Sequence, residues 1–161
     1  MAEKGGRKVA LWARGVFAAS MWLVMAWQLR VLTPGPIALQ LTWDPQTFGR
    51  IIHLWSPEDL ALYRRFLLVD YGVLLAYGVF GWLLATRTRL FASLSSRLQR
   101  LARLCLPLAA ALDALENAFH VWLTEMPRFG ADIIYHLSTL CAALQWSLIL
   151  GFGVLLMWAI A

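Results

Sequence analysis

The chain has 161 residues, of which 61% are hydrophobic and only 14% are charged, and its mean hydropathy is +0.66. A soluble domain is about half apolar and about a quarter charged, so this composition excludes an ordinary soluble enzyme and indicates an integral membrane protein. The net charge of +5 does not indicate nucleic-acid binding, because basic residues beside apolar spans normally set topology and contact anionic lipids.

Four apolar segments approach or exceed the roughly 20 residues that a helix needs to cross a bilayer. They predict an all-α integral membrane four-helix bundle in which residues 1–161 form a single membrane domain. The spans are expected at about 10–32, 62–86, 104–124 and 132–158. We expect the first span to stay uncleaved, because Arg14 interrupts its early part and the apolar stretch continues past Ala18 to Ser20; a cleaved signal peptide is the alternative.

The long connection after the first span is predicted to contain a short helix. Asp44 followed by Pro45 is typical of an N-cap with a first-turn proline, and the helix is expected to continue through His53. Its apolar and aromatic side chains predict that it lies on the membrane surface in the outer loop. Ser56 and Pro57 repeat the same start signal, so the second long helix is expected to begin at about Pro57.

Basic residues are distributed unequally between the two sides of the predicted bundle. Nine of the fourteen Lys and Arg residues fall on the side of the termini and five on the other side. The positive-inside rule therefore predicts that the N and C termini are cytoplasmic. The cytoplasmic link Leu90–Arg103 is expected to lie along the inner headgroups and to turn into the bilayer at Leu104.

The third span carries a polar stripe within an otherwise apolar run. Asp113, Glu116, Asn117 and His120 follow at spacings of three, four and seven from the first, so at about 100° per residue they share one face of a helix. A charged side chain near the centre of a span costs at least about 2.5–3.5 kcal/mol on insertion scales. One such residue would be explained by hydrogen bonding between helices, but four on one face favour a functional site.

Neighbouring spans offer partners for this stripe. Asp70 and Tyr77 are spaced by seven on the second span and should face it, and Tyr135 should face it from the fourth span. His120 and Tyr135 lie at similar distances in sequence from Arg128, which places them at about the same depth. His136 is about 100° away from Tyr135 around the helix and is excluded. The residues together predict a polar pocket in the outer half of the membrane.

The pocket would hold three carboxylic acids with no Lys or Arg inside the spans to pair with them. Such groups usually take up protons or bind a cation, so the sequence predicts a pocket for a cation, a proton or a polar lipid headgroup. One alternative is a membrane enzyme that acts on a lipid or a quinone, with His120 or Glu116 as acid or base and Asp113 orienting it. Another is an assembly subunit whose acids meet a basic residue of a partner.

The sequence also leads to predictions about metals, cofactors, partners and disulfides. A single well-placed histidine and the lack of a Glu-x-x-His pair argue against a metal centre, and no cofactor is expected. The expected partners are the lipid bilayer and either further copies of the chain or another subunit of a membrane complex, and no nucleic acid. Cys105 and Cys141 should lie near opposite faces of the membrane, so a disulfide between them is not expected.

The motifs on the second and third spans also resemble a known group of proteins. Tyr63, the Asp70-Tyr71 pair and Tyr77, together with Asp113-x-x-Glu116-Asn117, are similar to motifs of small bacterial proteins with four transmembrane helices. The resemblance covers most of the chain, including Trp55-Ser56-Pro57. It implies a multi-pass protein of the bacterial cytoplasmic (inner) membrane, and it implies no particular reaction.

Overall fold

The computed structural model describes residues 2–126 and 128–161, with side chains from residue 10 onward. These residues form six α-helices and no β-strand: α1 (Ala2–Leu29), α2 (Pro36–Gln40), α3 (Pro45–Leu54), α4 (Pro57–Arg87), α5 (Ser96–Leu123) and α6 (Asp132–Ile160). Of these, α1, α4, α5 and α6 each contain a stretch that is long and apolar enough to cross a membrane. The predicted all-α bundle with four membrane-crossing helices is confirmed, and the chain is a multi-pass membrane protein.

The four long helices are arranged in the order α1, α4, α5, α6, each packed against the next. The outermost helix, α1, has only 11% of its apolar window buried, against 33% for α4, 39% for α5 and 28% for α6. Since α1 packs closely on α4 and not on α6, a gap separates the first and last helices of the row.

The contact between α4 and α5 is close because glycines of α4 face α5. A Cβ atom at Gly81 would lie 2.6 Å from Cβ of Leu106, and one at Gly78 would lie 3.1 Å from Cβ of Ala110. The two helices therefore approach each other closely at these glycines. Gly72 has no such role, because no atom lies within 4 Å of a Cβ added there.

The local start signals of α3 and α4 are confirmed. The Asp44 carboxylate accepts hydrogen bonds from the backbone N–H groups of Gln46 and Thr47, and hydrogen bonds from Thr47 hold the pKa of Asp44 below its ordinary value. Ser56 and Asp59 form a reciprocal capping box at the first turn of α4. The short helix α2, which begins at Pro36, was not predicted.

The apolar side of α3 packs against protein. Phe48, Ile51, Ile52 and Trp55 are buried in a cluster with Leu123 of α5 and Tyr135 of α6. Helices α2 and α3 therefore cover one end of the bundle, which we call the capped end. The opposite end, where α4 ends at Arg87 and α5 begins, is called the basic end below.

The predicted turn at Leu104 is wrong. Residues Ser96–Leu123 form one continuous helix that begins at a Ser95 cap, whose hydroxyl accepts a hydrogen bond from Leu98 N–H. Arg97, Arg100 and Arg103 thus extend the transmembrane helix at the basic end and do not belong to a separate surface segment. The helix also continues through Pro107.

Candidate functional site

The polar stripe of α5 lies inside the bundle. The exposed fractions of Asp113, Glu116, Asn117 and His120 are 6%, 0%, 2% and 1%. Because burying a polar group without a partner is costly, the hydrogen bonds of each residue determine what the stripe can do.

Asp113 is held by two donors from neighbouring helices. Nε2 of Gln145 on α6 donates to Asp113 Oδ2 over 2.6 Å, and the hydroxyl of Tyr77 on α4 donates to the same oxygen over 3.4 Å. The second contact is long, so Gln145 is the main partner. Asp113 therefore joins three helices at one point.

Asp70 and Asn117 form a second link between α4 and α5. Nδ2 of Asn117 donates to Asp70 Oδ2 over 2.7 Å, a short distance typical of a carboxylate acceptor. Asp70 and Tyr77 thus both face the stripe from α4, at the positions that their spacing of seven indicated.

A separate group of polar side chains lies toward the capped end. The Tyr63 hydroxyl is hydrogen-bonded to Nδ1 of His120, and Nε2 of His120 lies 3.8 Å from Glu116 Oε1. The edge of the Phe48 ring packs on the imidazole with a centroid distance of 5.5 Å. The carboxyl of Glu116, the imidazole of His120 and the phenol of Tyr63 therefore follow one another beneath α3, in largely apolar surroundings.

Glu116 is the least satisfied member of the stripe. Neither of its carboxyl oxygens has a hydrogen-bond partner among the described residues, although the side chain is fully buried. Gln40 of α2 approaches it without reaching hydrogen-bond geometry, and 3.8 Å is too long for a hydrogen bond to His120. An orphaned buried carboxyl of this kind calls for a functional or energetic explanation.

Tyr135 lies outside the polar group. It is fully buried, but its hydroxyl accepts a hydrogen bond from the backbone N–H of Arg128 over 3.1 Å, and its ring packs on Phe48. Tyr135 thus fixes the turn before α6 and the position of α3. His136, which helical phase excluded, is exposed and its ring bonds the carbonyl of Asp132.

A cavity of about 730 Å³ lies beside the stripe, within the size range of small-molecule sites. Four predicted site residues line it: Asp70, Tyr77, Asp113 and Asn117. Glu116, His120 and Tyr135 are buried behind its wall and do not line it.

The two sides of the cavity belong to the first and last helices of the row. Gly15, Trp22 and Ala26 of α1 form one side, and Trp146 and Phe152 of α6 form another. Because α1 and α6 are not close neighbours, the cavity occupies the space between these two helices.

The polarity of the cavity changes along its length. Arg30 and Gln40 line it at the capped end, the carboxylates and their partners line its middle, and Phe80, Leu106 and Phe152 line it toward the basic end. From Gly15 to Arg30 the wall formed by α1 extends about 22 Å, at 1.5 Å per residue. One end of the cavity is thus polar and the other apolar.

Several lining residues were not included in the predicted site: Arg30, Gln40, Tyr63, Gln145 and Trp146. Tyr63 was recognisable from its spacing of seven before Asp70, and Gln145 is a rare polar residue in the strongly apolar α6. The side chains of Gln145 and Trp146 each retain an unpaired atom, Oε1 and Nε1. Arg30 and Gln40 enter the site through the connection after α1, where no sequence period reveals which way a side chain points.

No Lys or Arg forms an ion pair with Asp70, Asp113 or Glu116 among the described side chains; the Arg64–Glu125 contact, at 3.5 Å, lies elsewhere and is partly exposed. Within the same residues, no three His, Cys, Asp or Glu side chains are placed to hold a metal ion. Cys105 and Cys141 are buried free thiols.

Comparisons with protein-family models, with curated proteins and with solved structures find no match to this chain.

Proposed function

We propose that this is a protein of the bacterial inner membrane whose intramembrane cavity binds the polar head of an amphiphilic lipid entering between α1 and α6. The observation that carries the proposal is the graded cavity, whose polar middle is continuous with an apolar end. An amphiphile is the class of molecule that matches both parts at once, because its head can bond to the polar groups while its chain replaces lipid contacts.

A bare cation is less well supported by the same geometry. Asp70 and Asp113 already accept hydrogen bonds from Asn117 and Gln145, and the cation sites that proteins build from oxygen ligands need several convergent groups. A proton alone would not require a cavity of about 730 Å³. Proton uptake by the acids is compatible with lipid binding.

The distribution of charge supports an orientation for this site. Arg87, Arg97, Arg100 and Arg103 lie at the basic end, so the positive-inside rule places that end and both termini in the cytoplasm. The capped end, with the amphipathic α3 at the membrane surface, then faces outward and the polar part of the cavity lies in the outer half of the bilayer. Reporter fusions at the C terminus and in the loop before α3 test this orientation, and an external C terminus would contradict it.

Lipid binding is tested with 1-oleoylglycerol and the purified full-length protein, by native mass spectrometry and equilibrium titration in detergent. The variant Gly153→Phe places a ring at a lining position where an added Cβ meets no atom within 4 Å, so it fills the cavity without a backbone clash. We expect it to weaken binding about tenfold or more, which corresponds to about 1.4 kcal/mol.

Gly151→Phe is the matched control. A Cβ at Gly151 is equally free of contacts, and Gly151 does not line the cavity. Binding that is saturable in the wild type and in Gly151→Phe, and lost in Gly153→Phe, supports the proposal. Equal binding by all three proteins, or no saturable binding by the wild type, refutes it.

A second candidate function is an enzyme acting on the bound lipid. It is favoured by the Glu116, His120, Tyr63 arrangement, in which an imidazole lies between a carboxyl and a phenol that lines the cavity. His120 would exchange a proton with Tyr63, to which its Nδ1 is hydrogen-bonded. The test is to incubate lipid extracts with wild type and Tyr63→Phe and to follow lipid composition; a product formed by the wild type alone supports catalysis, and unchanged lipids in both refute it.

A role as an assembly subunit has less support, because the carboxylates lie inside the chain's own bundle. Asp113 and Asp70 are engaged by Gln145 and Asn117 of the same chain, and Glu116 is fully enclosed. A partner's basic residue would have to enter the cavity between α1 and α6 to contact them.

A further inference from the structure

The polar groups of the cavity follow one another in a definite order along its length. Leu29, which precedes Arg30, packs on the cluster that contains Tyr63 and Leu67. Asp70 lies three to seven residues further along α4, which is about 5–10 Å deeper along the helix axis. The sequence of groups from the capped end is therefore a cation, then carboxylates, then apolar walls.

The cation at the capped end is an exposed arginine that stacks on a neighbouring ring. The Arg30 guanidinium lies 3.3 Å from the centroid of the Trp27 ring, a cation–π contact, and Arg30 lines the same cavity as Asp70. It has no carboxylate partner among the described residues, so its donors are available to an anion. A phosphate is the anionic group of membrane lipids that a guanidinium binds best.

The middle of the cavity requires a ligand with both donors and acceptors. The carboxylates of Asp70 and Asp113 accept hydrogen bonds, and the hydroxyl of Tyr77, whose contact to Asp113 is long, can donate one. A glycerol unit that carries a free hydroxyl and an ester meets both needs. Among the described lining residues Arg30 alone is basic, so the phosphate is placed at Arg30.

The shape of the cavity favours one chain. A volume of about 730 Å³ lies along roughly 22 Å of α1, and this long, narrow shape suits one extended hydrocarbon chain. Phe80, Leu106 and Phe152 form its apolar end.

We infer that the ligand is a single-chain glycerophospholipid, with its phosphate at Arg30, its glycerol hydroxyl at Asp70 and Asp113, and its chain along α1 toward the basic end. This inference rests on the proposed lipid-binding function and adds the class of headgroup and the direction in which the lipid lies. A phosphate that is followed by a hydroxyl and then by a single chain has the same order of groups as the cavity wall.

The experiment compares two probes that differ only in the phosphate, 1-oleoylglycerol and 1-oleoylglycerol 3-phosphate, by titration of the purified protein in a neutral detergent. We expect the phosphorylated lipid to bind about fivefold more tightly, since one arginine near the membrane surface contributes about 1 kcal/mol toward an anionic lipid. Arg30→Gln should remove this preference, so that the two probes bind the variant with equal affinity.

Arg65→Gln is the matched control, because Arg65 is an exposed arginine of the capped end that does not line the cavity. A preference that survives Arg30→Gln, or is lost equally in Arg65→Gln, overturns the inference. Equal binding of both probes by the wild type overturns it as well while the lipid-binding proposal stands. If neither probe binds saturably, both proposals fail.

Discussion

Glu116 and Asp113 lie one helical turn apart on α5 and should respond in opposite ways to replacement by an apolar residue. Among the described residues both oxygens of Glu116 are buried without a hydrogen-bond partner, whereas Oδ2 of Asp113 accepts from Gln145 over 2.6 Å. A buried polar group that lacks its partner costs about 1–3 kcal/mol. Glu116→Met removes an orphaned carboxyl and keeps much of its volume, so it should raise the free energy of unfolding by about 1–3 kcal/mol.

Asp113→Leu leaves a buried polar group without a partner, whereas Glu116→Met removes such a group. It leaves Nε2 of Gln145 without its acceptor inside the bundle, and the Tyr77 hydroxyl loses its partner as well. The free energy of unfolding should fall by about 1–3 kcal/mol, so the two variants should differ by at least about 2 kcal/mol.

The assay is unfolding in mixed micelles, followed by the fluorescence of the nine tryptophans. Asp113→Asn serves as the conservative control, because an amide oxygen can still accept from Gln145; it should lie between the wild type and Asp113→Leu. The reasoning is refuted if Glu116→Met destabilises the protein as much as Asp113→Leu does. Glu116 would then be hydrogen-bonded in the folded protein.

Two further predictions concern the packing of α4 and the start of α3. Gly81→Ala should lower the free energy of unfolding by about 1–3 kcal/mol, because its Cβ would lie 2.6 Å from Cβ of Leu106, whereas Gly72→Ala should be neutral or stabilising since nothing lies within 4 Å; equal effects in a denaturation series would contradict this. Because the pKa of Asp44 is lowered by its hydrogen bonds from Thr47, its contribution to α3 is complete above the ordinary pKa of 3.8 and is lost as the pH falls through the lower folded value. Amide exchange in the first turn of α3 should accelerate over that interval in the wild type and not in Asp44→Asn, and the same acceleration in both would refute it.

The elements that the sequence identified are those that depend on local chemistry. The Asp44 and Ser56 caps predicted the starts of α3 and α4, because an N-cap side chain bonds to N–H groups two or three residues away. The common face of Asp113, Glu116, Asn117 and His120 follows from helical periodicity alone.

The elements that the sequence missed depend on tertiary packing. The turn expected at Leu104 does not occur, because the arginines that suggested a surface helix extend α5 at its polar end, where long basic side chains reach the headgroups. Tyr135 has the helical phase of a site residue, but its hydroxyl accepts a hydrogen bond from the backbone N–H of Arg128 in the turn before α6. Arg30 and Gln40 contribute to the cavity from the connection after α1, where the helix α2 has only five residues and is too short to show a sequence period.

Tyr63 is where the cavity and the enclosed polar group meet. Its ring lines the cavity and its hydroxyl is bonded to His120, whereas Glu116 and His120 themselves do not line the cavity. A lipid hydroxyl that reaches Asp70 would lie about 10 Å or less along the helix axis from Tyr63. A substitution at this one residue can therefore separate lipid binding at the carboxylates from proton transfer through His120. Tyr63→Phe removes the phenol oxygen while keeping the ring, so it should abolish any turnover and leave lipid affinity within about twofold, less than about 0.5 kcal/mol.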